Sequence, residues 1–338
     1  MSGAGENRRK GRAWQRTALF VSICAFSFLA SRADAQNKMT ASGEGCALSA
    51  RLAPRAVVRV IDGATLALDN GMQVRLIGAL APSSLDADPG PDPRNHSADD
   101  DSEAEGGEIA ANANQQGKKN APDTWQPAVA AREALARLVD GRSVTVATAD
   151  RQHDRYGRIL GHVFVEGTNS GGVWLQGEML AAGHARAYGI TDNFNCMDAL
   201  VAAEAPARAA RLGLWANPAY AIRSATLTRN LMHLRGTYQI VAGVVRASKR
   251  VKSGWIYLNF GKNWRSDFSA SISPDVTRAH PAWAAALLDL KGRRVRVRGW
   301  IERRNGPAIN IEHPSQIEFV DAVMNTSAPA PPRTLSER

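Results

Sequence analysis

The chain is short of the residues that usually announce a metal or a reactive thiol. Its 338 residues hold only three cysteines and seven histidines. No two histidines stand in H-x-H or H-E-x-x-H spacing, which excludes the commonest histidine-borne zinc motifs. Long apolar runs are lacking too. The run at residues 17–30 falls short of the roughly 20 residues that a helix needs to cross a bilayer.

That run is better read as part of a targeting segment. Arg8, Arg9, Lys10, Arg12 and Arg16 precede it, and Ala33-Asp34-Ala35 comes after it as a small-residue cleavage site. Residues 1–35 are therefore expected to be a signal peptide and the protein to be exported, periplasmic or secreted, with an uncleaved anchor as the other reading. Cleavage would leave Cys46 and Cys196. An even pair in an exported chain suits a disulfide, the alternative being two buried free thiols.

What is present is uneven charge. The whole chain carries +10, yet residues 83–122 hold nine acids against three bases. This stretch has many Pro and Gly and almost no large apolar residues, so it cannot offset its ordering entropy and is expected to be a disordered insertion. Around it the pattern is α+β. Short β-branched runs at 57–61, 65–68 and 73–77, split by Asp62-Gly63 and Asp69-Asn70-Gly71, predict a three-stranded meander. Period-2 alternation would send Val58 and Val60 to one face and Arg59 to the other. A helix over 125–139 comes next, running through Val129, Ala130, Glu133, Ala134, Arg137 and Leu138, then strands over 143–149 and 159–165. Two more helices are predicted over 173–182 and 197–212.

After a linker at 219–236 the element order repeats. Strands are expected over 238–247, 255–260 and 267–273, and Ser273-Pro274 opens a helix through residue 290. Strands over 293–303 and 308–319 complete the unit, the last broken at Pro314. The domain reading is therefore a lead-in at 36–54, a first unit at 55–218 interrupted by the insertion, a second unit at 237–320 and a disordered tail at 321–338.

The segments V-I-D-G-A-T, V-R-L-I-G-A-L-A-P and D-R-Y-G-R, in that order, resemble the thermonuclease (staphylococcal nuclease-like) family. The resemblance implies an oligonucleotide/oligosaccharide-binding (OB) barrel with flanking helices, and the second unit is similar to a further five-stranded OB-type barrel. It also implies that Arg75 and Arg158 grip the scissile phosphate, as bidentate guanidinium forks suit. The family's acids are missing: Ala64, Leu80 and Ser83 stand at their positions. Calcium needs carboxylate oxygens, so no metal site and no cofactor are expected, although the family uses Ca²⁺. His153, beside the D-R-Y-G-R segment, reads as a polar loop residue rather than a base.

Residues 224–320 hold sixteen Lys/Arg and six Asp/Glu. Arg294, Arg296 and Arg298 share strand parity with Trp300, and Trp255 alternates with Tyr257 on another strand. Basic residues interleaved with aromatics suit single-stranded nucleic acid, whose bases stack while phosphates pair. The expected function is thus a thermonuclease-like protein that binds nucleic acid or another phosphodiester ligand without efficient Ca²⁺-dependent cleavage. Two alternatives stand beside it. One is an active nuclease using another divalent ion or a displaced acid such as Asp86 or Asp88. The other is a module that contacts an envelope protein.

Overall fold

The structure is a computed structural model and describes residues 52–86, 124–166, 172–190, 193–194 and 196–320. The expected signal peptide, Cys46, most of the lead-in, the expected insertion beyond residue 86 and the tail lie outside the described residues. All the described residues fall in one compact unit. Among them no helix is long and apolar enough to cross a membrane.

The meander forms as β1 (Arg55–Asp62), β2 (Thr65–Leu68) and β3 (Gln73–Leu76). Its inside–outside pattern differs from simple alternation. The β1–β2 register shifts between Val57 and Arg59, so Val57 and Val60 pack on the core while Val58 is exposed. One extra residue on one strand flips the parity of everything beyond it. After β4 (Ala79–Leu80), residues 84–86 make a single 3₁₀ turn, so the first residues of the expected insertion are folded.

Helix α1 (Gln126–Val139) starts with Pro127 in its first turn, where a missing N–H is tolerated. It buries Ala128, Ala131, Ala134, Leu135 and Val139. The buried stripe thus lies beside the one expected through Val129, Glu133 and Arg137, and small alanines let the helix approach the sheet closely. Strand β5 (Ser143–His153) runs past residue 149 and pairs antiparallel with β6 (Ile159–Val165). Because β5 also pairs with β1, and β6 runs parallel to β3, the five strands close into a ring, β1-β2-β3-β6-β5. The short β7 (Val173–Trp174) adds to β6, and α2 (Leu175–Ala181) continues directly from it. The two-residue strand β8 (Arg186–Ala187) pairs with β4 ahead of α3 (Met197–Ala209).

The stretch at 219–236 is folded rather than a free tether. Strand β9 (Arg223–Ser224) pairs with the next barrel, and α4 (Thr228–His233) buries Leu231 in that barrel's core. Strands β10 (Tyr238–Val244) and β11 (Ala247–Arg250) act as one bent first strand, with β12 (Ile256–Asn259) and β13 (Ser269–Ile272) after them. The helix expected through residue 290 is two short ones, α5 (Pro274–Ala279) and α6 (Pro281–Ala286). Pro281 forces the break, because the residue before a proline is driven out of helical geometry; His280 sits at φ −129°, ψ 64°.

Strand β14 (Arg294–Trp300) continues as β15 (Glu302–Arg304), and β16 (Gly306–Ile311) closes the barrel. The pairings are β11-β12-β13-β16-β15, with β10 on β14 and β13 parallel to β16. Both barrels therefore share one order, first-second-third-fifth-fourth-first, with the third and fifth strands parallel. This is the α+β arrangement of two OB-type barrels that the element order predicts. Beyond Pro314, β17 (Ile317–Phe319) leaves β16 and pairs with β14 instead.

Candidate nucleic-acid site and the contact between the barrels

In the first barrel, the two phosphate-gripping candidates lie on β3 and just ahead of the adjacent β6. Arg75 lies opposite Leu160 in the parallel β3–β6 pair, and Arg158 precedes the first residue of β6. Each arginine is held by a local carboxylate. Arg75 Nη1 donates to Thr65 Oγ1 at 3.2 Å and lies 3.6 Å from Asp62 Oδ1. Arg158 Nε donates to Asp154 Oδ2 at 2.6 Å, and its guanidinium lies over the Tyr156 ring. Asp154 also accepts from the backbone N–H groups of Tyr156 and Arg158, so one carboxylate both shapes the D-R-Y-G-R turn and aims its last arginine. Gly157, at φ +75°, supplies the left-handed residue this turn requires.

The turn at Asp62-Gly63-Ala64 is pressed against the exit of β4. A Cβ on Gly63 would come within 2.8 Å of the Ala131 Cβ and 2.9 Å of the Ala81 Cβ. The fold thus brings the neighbourhoods of Ala64 and Leu80 together, but with apolar content. Ala64 is wholly buried in the barrel core. Asp62 is committed to the turn, accepting from the Ala64 N–H at 2.8 Å and the Thr65 hydroxyl at 3.0 Å. The Ser83 hydroxyl accepts from the Leu85 N–H. These residues do not fit a calcium ion, which would need several free carboxylate oxygens where the chain offers methyl groups. Among the described residues no three His, Cys, Asp or Glu gather as a metal would require.

Asp86, one of the two candidate displaced acids, is engaged elsewhere. It accepts from Arg186 at 2.7 Å, from the Tyr220 hydroxyl at 3.0 Å and from the Ser83 N–H at 3.0 Å. Tyr220 also accepts from the Trp125 indole, so one buried phenol ties Asp86, in the folded start of the expected insertion, to Trp125 just beyond its end. Burial and the Asp86 charge push the Tyr220 phenol well above its ordinary pKa, which keeps it a neutral donor. Asp88 lies outside the described residues. His153 is exposed at the end of β5.

The second barrel uses its arginines differently from the sequence expectation. The parity is right, since β10 and β14 pair without a shift and Arg298 and Trp300 share a face. That face is covered by the first unit. Arg298 is only 1% exposed; its Nη2 lies 3.0 Å from Glu204 Oε1 and its Nη1 3.1 Å from Glu204 Oε2. Burial disfavours its charge, but the facing Glu204 carboxylate more than offsets this and holds its pKa above the ordinary arginine value. Arg296 pairs with Glu318 at 2.6 Å. Arg208 bridges both acids, at 2.6 Å to Glu204 and 2.8 Å to Glu318. Trp300 is half-buried against Tyr188 and Tyr238, and Arg294 is exposed at the strand end. Arg298 and Arg296 are therefore engaged by carboxylates in this contact rather than displayed together with Trp300 as an open phosphate-binding face.

Trp255 is placed otherwise. It stacks near Tyr257 at 6.2 Å, and the Arg304 guanidinium lies 5.0 Å over its ring. Exposed Lys249 stands opposite Tyr257 in the β11–β12 register, with exposed Arg250 next to it.

Sequence reasoning missed Glu204, Arg186 and Tyr220, which join the two barrels. Glu204 alone carried a signal: a carboxylate inside the alanine-rich run A-A-E-A-P-A-R, four residues before an arginine. Cys196 is disulfide-bonded, while Cys46 lies outside the described residues.

The closed barrel with flanking helices thus carries Arg75 on β3 and Arg158 just ahead of β6, each oriented by an acid. Residues 110–217 match the family described as staphylococcal nuclease homologue. The match takes in α1, β5, β6, Arg158 and α3, and the meander bearing Arg75 completes the same ring. No curated protein matches the chain.

Proposed function

We propose that this is an exported, thermonuclease-like protein that binds single-stranded nucleic acid without efficient Ca²⁺-dependent cleavage. One observation carries the reading. Arg75 and Arg158 are kept in order by Asp62 and Asp154, while the adjoining acid position is filled by Ala64 inside the apolar core. Phosphate recognition needs the first feature; generating a metal-activated water needs carboxylates the second has displaced. On the second barrel, the surface that suits bases and phosphates is the one bearing Trp255, Tyr257, Lys249 and Arg304. The disulfide at Cys196 supports an oxidising destination.

The test is a pair of titrations on the full chain. Fluorescence anisotropy with a single-stranded oligonucleotide should give affinity that falls steeply with salt, and Arg75→Ala with Arg158→Ala should weaken it. A nuclease assay across Ca²⁺, Mg²⁺ and Mn²⁺ should show no cleavage above background. Cleavage abolished by chelator would establish the active-nuclease alternative. Absence of salt-sensitive binding would move a protein partner ahead.

A further inference from the structure

Between the barrels lies a small cavity of about 40 Å³, lined by Tyr188 and Ile190 from the first unit and Tyr238, Trp300, Glu302 and Glu312 from the second, among others. A volume of this size holds a few water-sized groups and not a nucleotide.

Three features of its lining are unusual together. The rings of Tyr188, Tyr238 and Trp300 meet edge-to-face, with centroids 5.2, 5.7 and 6.0 Å apart. Two of the six acids in the strongly basic stretch 224–320 line this one cavity. The Trp300 indole N–H is buried and has no acceptor among the described residues. Gly299, also in the lining, has no room for a side chain: a Cβ there would come within 2.4 Å of Ile309.

Carboxylates beside aromatic rings favour a cation, because ring faces and carboxylate oxygens both present negative potential. A plain cation would leave the indole N–H without a partner, and a buried donor without one is costly. A ligand that satisfies both carries an ammonium group and, a few atoms away, an oxygen acceptor. We propose that this cavity binds a small amino alcohol, the ammonium meeting Glu302 and Glu312 against the rings and the oxygen accepting from Trp300. The site is separate from the arginines of the first barrel and does not depend on nucleic-acid binding.

The experiment tracks the Trp300 indole ¹H–¹⁵N resonance of the full-length protein, assigned by its loss in Trp300→Phe. Ethanolamine should shift it saturably. Ethylammonium, which lacks the oxygen, should bind roughly tenfold more weakly, as loss of about 1.4 kcal/mol of hydrogen bonding implies. Ethylene glycol, which lacks the charge, should leave the resonance in place. O-phosphoethanolamine distinguishes a free amine from a lipid headgroup source. The two carboxylates should repel its phosphate, so binding as tight as ethanolamine would overturn the free-amine form of the proposal. Glu302→Gln should weaken ethanolamine about tenfold, with an otherwise unchanged spectrum reporting an intact fold. Trp300→Phe, monitored through the Tyr188 amide, should erase the preference for ethanolamine over ethylammonium. Equal shifts with ethanolamine and ethylene glycol, or no saturable shift at all, would overturn the assignment.

Discussion

The two barrels share one strand order and use their arginines in opposite ways. In the first, Arg75 on β3 and Arg158 just ahead of β6 are partly exposed, each held by one nearby acid. In the second, Arg298 is turned inward to Glu204 of the first unit and fastens one barrel to the other, while Arg296 pairs with Glu318 of its own barrel. A run of arginines at period 2 therefore measures a face, not a surface. Whether that face meets phosphate or carboxylate is decided by what docks on it.

The largest expected effect comes from breaking that inward set. Glu204 is fully buried and accepts from Arg298, Arg208 and the Ala187 N–H. Glu204→Ala strands a buried guanidinium and should destabilise the protein by roughly 3–5 kcal/mol, read by chemical denaturation. Arg75→Ala, with a half-exposed partner in Asp62, should change stability by less than about 1 kcal/mol. Equal losses would erase the contrast between the barrels.

A second test concerns Ala64, which stands where the resembling family has an acid. Ala64→Asp would place a carboxyl in the apolar core, so it should cost roughly 1–3 kcal/mol and confer no Ca²⁺-dependent stabilisation. A melting temperature that rises with added Ca²⁺ in this variant would show that a carboxylate at this position can hold the ion.

Third, nucleic-acid binding should separate the outer face of the second barrel, at Trp255, from its carboxylate-paired arginines. Trp255→Ala should cost about 1–3 kcal/mol of affinity for a single strand. Arg296→Ala should leave affinity within a few tenths of a kcal/mol, because that side chain is already paired. The anisotropy titration that compares them also reports whether the outer face is the binding face.

The smallest effect is a pH dependence. His313 stacks on Phe194 at 4.9 Å, and its Nδ1 accepts from the Ser315 N–H. Burial, then the neighbouring His280, lowers its pKa below 6.5, against a smaller upward pull from Asp198. Burial and Arg137 lower His184 likewise. In both cases the unfolded chain binds the proton first as pH falls, so stability present at neutral pH is progressively lost below about 6.5, through the depressed folded values. Thermal melts between neutral and mildly acidic pH should show this loss, and His313→Gln should reduce it.

Much of the fold was written in local pattern. Asp-Gly and Asn-Gly turns, β-branched runs, Ser273-Pro274 as a helix start and Asp154 with Gly157 three residues on are short-range signals, and each formed its element. The candidate site in the first barrel was legible for the same reason: its arginines are oriented by acids four and thirteen residues before them in the chain. That Ala64 and Leu80 stand where the thermonuclease family has acids follows from the resemblance, not from local pattern. Local pattern erred where one residue or one proline redirects the chain beyond it, as at the Val58 bulge and the Pro281 break.

What only the tertiary structure decided is the fate of the second barrel's charge. Glu204 lies 94 residues before Arg298, and Asp86 lies 134 before Tyr220. No periodicity records such pairings, because burial depends on which surfaces meet. Arg298 has the same neighbours in sequence as a solvated strand arginine; a carboxylate carried in by helix α3 beside the first barrel turned it into part of the interior.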